Sequence, residues 1–262
     1  IFAALIALPV FAIAQSNENK KSLLPNGWTL SPAGRSIPLG DLPLNIAVSK
    51  SKKLMAVTNN GQSVQSIQLI DPATEKILDN VIVPKCWYGL KFSADEKYLY
   101  ASGGNDNWIL KYAVAKNKLV LNDSIVLGKK WPNKISPAGI DIDDAAKKLY
   151  VVTKENNSLY IVDLISKNIL FKDSLSEPAY SCVLSNNKKE LYISLWGGKK
   201  VLVFDIATKK IAAQINVGEN PNELLLSKNG QYLFVACAGD NAVSVIDIKQ
   251  RKELEVLNAA LY

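Results

Sequence analysis

The 262-residue sequence contains no histidine, and this restricts the chemistry that its side chains could carry out. This excludes Ser-His-Asp and Cys-His nucleophile systems, histidine metal sites and histidine-ligated haem. Glu223 is the candidate carboxylate, but no second acid or base accompanies it in the pattern that acid–base catalysis requires. We therefore expect the chain to be non-catalytic, with no metal ligands and no cofactor.

The three cysteines, Cys86, Cys182 and Cys237, are not spaced as metal ligands or as a redox pair. Cys182 and Cys237 stand inside apolar, strand-like segments, which favours buried thiols that pack as small apolar groups. A single structural disulfide is the alternative, and an odd count leaves at least one cysteine unpaired.

The residues best suited to bind a ligand are aromatic and amide side chains that flank apolar segments. They are Trp87, Tyr88, Trp108, Trp131, Tyr180, Trp196, Asn222 and Glu223. Aromatic rings with amides and one carboxylate nearby are typical of sites for a small polar ligand, a glycan or a protein segment. The alternative is that the tryptophans wedge between neighbouring repeats as packing residues.

The net charge of +7 raises the question of nucleic-acid binding, since clustered lysines neutralise phosphates. The lysines are instead spread over many turns and alternate with acids such as Glu75, Asp95 and Glu190. This pattern favours a solvated rim over a nucleic-acid surface.

Two short motifs predict turns and no ion or phosphate site. Asp141-x-Asp143-Asp144 lacks the spaced oxygen ligands and the glycine of a calcium loop. Gly197-Gly198-Lys199-Lys200 lacks the spacing of a phosphate-binding loop, so we expect a hairpin turn there.

The elements that must position these residues form an internal repeat. Similar apolar segments begin at Asn45, Gly89, Gly139, Ser181 and Glu223. This period of about 42 to 50 residues is typical of propeller blades. The expected units cover about residues 41–84, 85–128, 129–176, 177–218 and 219–262.

Each unit repeats four short apolar strands separated by turns. The third strand ends near Asp71, Asp163, Asp205 and Asp247, with Ala113 at the corresponding place in the second unit. The strands are apolar on both faces, as expected for sheets sandwiched between two neighbours. The sequence therefore predicts an all-β propeller of four-stranded blades over residues 28–262.

Propeller connectivity assigns the turns to two faces. The aromatic candidates share one face, together with the loops at residues 59–61 and 103–107. Most of the turn lysines, such as Lys52, Lys147 and Lys209, fall on the opposite face. We call these the aromatic face and the lysine face.

The units resemble the YVTN-type repeat of the YncE-like β-propeller family, most clearly at residues 227–235 and 240–247. The resemblance implies a ring of seven blades, of which about five are present, and it is specific for the fold and weak for the function. We expect Gly34–Gly40 to supply a closing outer strand. The segment at residues 27–43 also resembles the opening of bacterial proteins in which a propeller precedes an alkaline-phosphatase-type phosphoesterase domain.

The first fourteen residues are apolar and end in Ala12-Ile13-Ala14, which is typical of a cleaved signal peptide. A membrane anchor is the alternative, although the apolar segment is shorter than a span requires. Residues 15–27 are expected to form a linker. The mature protein is then exported to the periplasm or beyond, with no membrane span.

Taken together, the sequence predicts an exported binding scaffold. One alternative is the substrate-gathering module of a phosphoesterase whose catalytic domain lies beyond residue 262. A third possibility is a quinoprotein-type oxidoreductase propeller.

Overall fold

The computed structural model describes residues 22–30, 35–130 and 132–259. The chain divides into two units, residues 1–38 and residues 39–262. The first contains a small hairpin of β1 (Ser22–Leu23) and β2 (Thr29–Leu30). Its turn places Gly27 at a φ of +83°, a conformation that glycine adopts without strain. Part of the predicted linker is therefore a hairpin.

The second unit consists of five antiparallel sheets, each built from four consecutive strands in sequence order. Blade 1 contains β3 (Pro43–Val48), β4 (Met55–Asn59), β5 (Ser66–Asp71) and β6 (Lys76–Ile82). Blade 2 contains β7 (Leu90–Phe92), β8 (Tyr98–Ser102), β9 (Trp108–Ala115) and β10 (Lys118–Val126), with a 3-10 helix at Gly104–Asp106. Blade 3 contains β11 (Pro137–Asp143), β12 (Lys148–Thr153), β13 (Ser158–Asp163) and β14 (Ile169–Ser174). Blade 4 contains β15 (Ala179–Leu184), β16 (Glu190–Leu195), β17 (Lys200–Asp205) and β18 (Lys210–Asn216). Blade 5 contains β19 (Pro221–Leu226), β20 (Tyr232–Cys237), β21 (Ala242–Asp247) and β22 (Lys252–Asn258).

The predicted all-β propeller class is confirmed, with four strands in each of five blades. The total of seven blades stays a prediction. Residues 35–40 contain no strand, and the expected closing strand over Gly34–Gly40 stays a prediction. A fourth strand needs the third strand of a blade as its partner, and β6, β10, β14, β18 and β22 already pair with the third strands of the five sheets.

The turn after the third strand shows why an aspartate recurs there. The carboxylate of Asp163 accepts hydrogen bonds from the backbone N–H groups of Ile165 and Ser166, at 2.9 and 2.6 Å. Asp205 and Asp247 make the corresponding bonds to Thr208 and Gln250. These are the Asx turns for which aspartate is well suited.

Blade 2 lacks this aspartate because it uses a different turn. Lys116 and Asn117 both have positive φ, at 49° and 61°. Positive φ at both central residues is the requirement of a two-residue type I′ hairpin turn, which needs no capping carboxylate.

The hydrophobic core lies between successive blades. Four buried clusters fill the spaces between blades 1 and 2, 2 and 3, 3 and 4, and 4 and 5. Successive residues of β12 alternate between two of them: Leu149 and Val151 face blade 2, whereas Tyr150 and Val152 face blade 4. The two-sided apolar strands expected from the sequence follow from this arrangement.

Two glycines allow the first strands of blades 2, 3 and 4 to approach closely. A Cβ atom at Gly89 would lie 2.2 Å from the carbonyl oxygen of Ala138. A Cβ atom at Gly139 would lie 2.5 Å from Cα of Ser181 and 2.8 Å from the carbonyl oxygen of Tyr180. Backbone atoms cannot move aside as a side chain can, so both positions require glycine.

We predict that Gly139→Ala lowers the free energy of unfolding by roughly 2 kcal/mol, because the added methyl group forces blades 3 and 4 apart. Gly128→Ala is the matched control, since its Cβ would meet the terminal methyl group of Ile135, which can rotate away. Urea denaturation of the two variants measures the difference. Equal losses of stability would contradict the proposed backbone contact.

Candidate functional site

A central channel runs along the first strands of all five blades. Its cavity of about 580 Å³ is lined by residues of β3, β7, β11, β15 and β19. A cavity of this size is in the range of small-molecule sites. Tyr88 and Glu223, two of the sequence-predicted residues, are in its wall.

An ion pair crosses the channel wall between blades 2 and 3. Nζ of Lys91 lies 2.9 Å from Oδ1 of Asp141. Burial of the ammonium group lowers the pKa of Lys91, but the charge of Asp141 and the hydrogen bond to it outweigh burial and hold the pKa above its ordinary value. Lys91 is therefore a fixed positive charge inside the channel.

Asp141 also joins blade 3 to blade 4. Its Oδ2 accepts a hydrogen bond of 2.8 Å from the backbone N–H of Leu184, and its Oδ1 accepts one of 2.8 Å from its own neighbour Ile142. One buried carboxylate thus links the first strands of three consecutive blades. The sequence-based expectation of a turn is wrong for Asp141, which lies on β11, and right for Asp143, which caps the following turn through Ala145 and Ala146.

Three of the predicted aromatic residues form a contiguous row that begins at the channel wall. The ring centroids of Tyr88 and Tyr180 are 4.5 Å apart, and Tyr180 stacks on Trp196 at 5.2 Å with an interplanar angle of 26°. Tyr88 comes from the segment before β7, whereas Tyr180 and Trp196 belong to blade 4. We call Tyr88, Tyr180 and Trp196 the aromatic row.

The hydroxyl group of Tyr88 is buried and has no hydrogen-bond partner among the residues that the structure describes. Buried polar groups are nearly always paired, so an unpaired one is typical of a place where another molecule binds. Burial also raises the pKa of Tyr180, which keeps its hydroxyl group protonated and able to donate.

Glu223 and Asn222 lie at the start of β19 in blade 5. The side-chain oxygen of Asn222 accepts a hydrogen bond from the backbone N–H of Glu223. The backbone carbonyl oxygen of Asn222 accepts one of 2.7 Å from Oγ of Ser194. The Glu223 side chain is exposed to the channel, yet the surrounding wall removes enough bulk water to raise its pKa from 4.5 to about 7. Near neutral pH this carboxyl group can both donate and accept hydrogen bonds.

The other predicted tryptophans lie elsewhere. Trp108 packs closely on Gly103, has Nζ of Lys130 4.3 Å above its ring, and joins the cluster between blades 1 and 2. This placement favours the packing interpretation for Trp108. Trp87 lines a separate cavity of about 270 Å³, and Trp131 lies outside the described residues.

All three cysteines are buried and unpaired, so no disulfide forms between them. Burial raises the pKa of Cys86 to about 11, which makes it a poor nucleophile. Within residues 22–30, 35–130 and 132–259, no group of three or more Cys, Asp and Glu side chains is arranged to hold a metal ion.

The hairpin turn predicted at Gly197-Gly198-Lys199-Lys200 is present between β16 and β17, where the N–H of Gly198 donates to the carbonyl oxygen of Leu195. Sequence reasoning missed Lys91 as a channel residue, although its position two residues after Gly89 matches that of Asp141 after Gly139. It also missed Lys85 and Lys154, which lie on the aromatic face beside Trp87.

Comparison with known proteins agrees with this architecture. A family model described as YNCE-like β-propeller matches residues 2–259. Among solved structures, the hydrazine synthase of Kuenenia stuttgartiensis is similar, with a TM-score of 0.63 and 17% identity over 83% of this chain and 66% of that chain. The chain thus spans about two thirds of the length of that protein, and the likeness concerns the fold. No curated protein matches the sequence.

We predict that Asp141→Ala lowers the free energy of unfolding by roughly 3 kcal/mol, because it leaves the ammonium group of Lys91 and the N–H of Leu184 without their partner. Asp173→Ala removes an exposed carboxylate on an outer strand and serves as the control. Chemical denaturation followed by tryptophan fluorescence provides the comparison. A loss no greater than that of the control would show that Asp141 does not hold the blades together.

The raised pKa of Glu223 predicts a pH dependence of stability with a definite sign. The folded protein holds the proton of the Glu223 carboxyl group more tightly than the unfolded chain does. The contribution of Glu223 to the free energy of unfolding therefore falls as pH rises from 4.5 to about 7. The free energy of unfolding of Glu223→Gln, taken relative to that of the wild type, should therefore be higher at pH 8 than at pH 5. Urea denaturation at both values measures this, with Glu255→Gln on an outer strand as the control; an unchanged difference between the two pH values would refute the assignment.

Proposed function

The chain belongs to the YncE-like β-propeller family, and from that premise we propose that it is a non-catalytic scaffold that binds a small polar ligand beside the aromatic row. The observation that carries the proposal is the row itself. Tyr88, Tyr180 and Trp196 come from two different blades and contact one another, and Tyr88 lines the channel that also contains Glu223.

The chemistry of this end of the channel suits a ligand with both an apolar face and hydrogen-bonding groups. The partly buried rings of Tyr180 and Trp196 offer apolar surface, and aromatic rings attract C–H groups and cations. The carboxyl group of Glu223 can donate or accept, and the unpartnered hydroxyl group of Tyr88 needs a partner. A few placed polar groups in an otherwise apolar wall are typical of specific small-molecule sites.

Two features support binding without catalysis. The chain has no histidine, and the Lys91–Asp141 ion pair is occupied in joining blades. Glu223, whose pKa is suited to proton transfer, has no second acid or base within hydrogen-bonding distance among the described residues. Acid–base chemistry on a ligand would require such a partner.

We further propose that the protein is exported, on the strength of the apolar leader and the Ala12-Ile13-Ala14 pattern, which lie outside the described residues. None of the helices that the structure describes is long and apolar enough to cross a membrane. The phosphoesterase domain and the quinoprotein activity stay predictions.

The binding proposal predicts that a member of a panel of sugars, amino acids and nucleosides raises the melting temperature of the protein. Stabilisation follows by mass action when a ligand binds the folded state alone. Differential scanning fluorimetry at millimolar ligand identifies the compound. The same compound should lose its effect on Tyr180→Ala and keep it on Trp108→Phe, because only Tyr180 belongs to the aromatic row.

Two outcomes would count against the proposal. Either no compound of the panel stabilises the protein, or the stabilisation persists in both Tyr180→Ala and Glu223→Gln. Turnover of the bound compound, detected by mass spectrometry after prolonged incubation, would contradict the non-catalytic assignment.

A further inference from the structure

A second site lies on the aromatic face, away from the channel. Two cavities, of about 270 and 550 Å³, share the four lining residues Asn60, Gln65, Lys85 and Trp87. Together they form a continuous groove, which we call the outer groove. Its walls come from loops of blades 1, 2 and 3, which reach along the chain from Asn60 to Glu155.

The amide side chains of the outer groove are fixed in orientation by the protein. Oε1 of Gln65 accepts a hydrogen bond of 3.0 Å from the backbone N–H of Cys86. Oδ1 of Asn105 accepts one of 2.8 Å from Oγ of Ser136. Sγ of Cys86 lies 3.8 Å from Oδ1 of Asn60 and 3.6 Å from the carbonyl oxygen of Asn59, so its single proton is shared between the two.

The consequence is an excess of free donors. The carbonyl oxygens of Gln65 and Asn105 are bonded to the protein, and that of Asn60 lies beside the Cys86 thiol. The NH₂ groups of the three amides remain, and none of them has a partner among the described residues. Each NH₂ group can donate two hydrogen bonds. A ligand that fills the groove must therefore be rich in acceptors.

The charges of the groove favour an anion. Lys85 and Lys154 line it against a single carboxylate, that of Glu155. Nζ of Lys154 lies 5.7 Å from the centroid of the Trp87 ring, so a ligand anion that pairs with Lys154 is held next to the tryptophan.

We propose that the outer groove binds an acidic oligosaccharide, with one sugar ring on Trp87 and its carboxylate on Lys154 and Lys85. The C–H face of a sugar ring packs on an indole ring, which presents negative charge density on its face. Ring oxygens, hydroxyl groups and an ionised carboxylate supply the acceptors that the free amide donors require. This proposal does not depend on the channel ligand.

Other anionic polymers fit the groove less well. A peptide brings one backbone donor for every acceptor, whereas the unpartnered N–H groups of the groove amides outnumber the lone pairs left on their carbonyl oxygens. Binders of single-stranded nucleic acid use successive aromatic platforms along a basic groove. Trp87 is the sole aromatic residue in the lining that the structure describes, and it is accompanied by two lysines.

The test is isothermal titration of the chain with tetragalacturonate and with its methyl ester, which has the same sugar rings without the charges. We expect binding of tetragalacturonate that weakens with salt, and much weaker binding of the ester. Trp87→Ala and Lys154→Met should each weaken binding about tenfold, the effect of losing one aromatic contact or one charge-assisted contact. Thermal unfolding of both variants confirms that they fold.

Matched controls separate this site from the channel and from general charge effects. Lys53→Met removes a lysine from the lysine face and should leave the affinity unchanged, and so should Tyr180→Ala in the aromatic row. Equal binding of the ester, insensitivity to both groove variants, or equally tight binding of tetraglutamate or octathymidylate with the same dependence on Trp87 would each overturn the proposal. None of these results would bear on the ligand of the channel.

Discussion

The apolar layers between successive blades are the constraint on which the rest of this molecule depends. A single four-stranded blade has two apolar faces and cannot bury either of them alone. The alternation along β12, where Leu149 and Val151 pack on one neighbour and Tyr150 and Val152 on the other, shows how each strand serves two cores. Polar side chains are thereby concentrated in the turns, the outer strands and the channel, with a few small or amide side chains such as Gln68 and Ser244 buried inside strands. Any site must be built from those positions.

The first strand of a blade, which lines the channel, has to satisfy two demands. It must approach the neighbouring first strands closely, and it must present polar side chains to the channel. Gly89 and Gly139 meet the first demand, since any larger side chain would meet the backbone of the next blade. Lys91 and Asp141, each two residues further along, meet the second by pairing with each other between blades 2 and 3. Asp141 then uses its remaining oxygen for blade 4. Close approach of the first strands and polarity of the channel wall therefore come from residues two positions apart on the same strands.

Sequence reasoning succeeded where the information is local. The repeat, the four strands and the turn aspartates such as Asp163 can be read from a few adjacent residues, because turn geometry depends on nearby backbone groups. It could not separate Trp108, which packs on Gly103, from Trp87, which lines a groove, because that distinction depends on contacts between different loops. The pairing of Lys91 with Asp141 spans fifty residues and has no local signature. The pair can be recognised only from the relative position of β7 and β11 in the folded protein.

The two sites differ in how their polar groups are held, and this difference indicates what each can recognise. In the channel, the hydroxyl group of Tyr88 has no partner in the described part of the chain, and the pKa of Glu223 is raised to about 7, so the wall offers both donors and acceptors. In the outer groove, backbone and side-chain donors of Cys86 and Ser136 occupy the amide oxygens, so donors remain. A loop can therefore determine whether a site offers hydrogen-bond donors or acceptors, because the half of an amide that the protein itself binds is less available to a ligand. These loops also touch the apolar layer between blades 1 and 2, since Val83 and Cys86 belong to it. The residue whose backbone N–H occupies the amide oxygen of Gln65 is therefore held in place by the core.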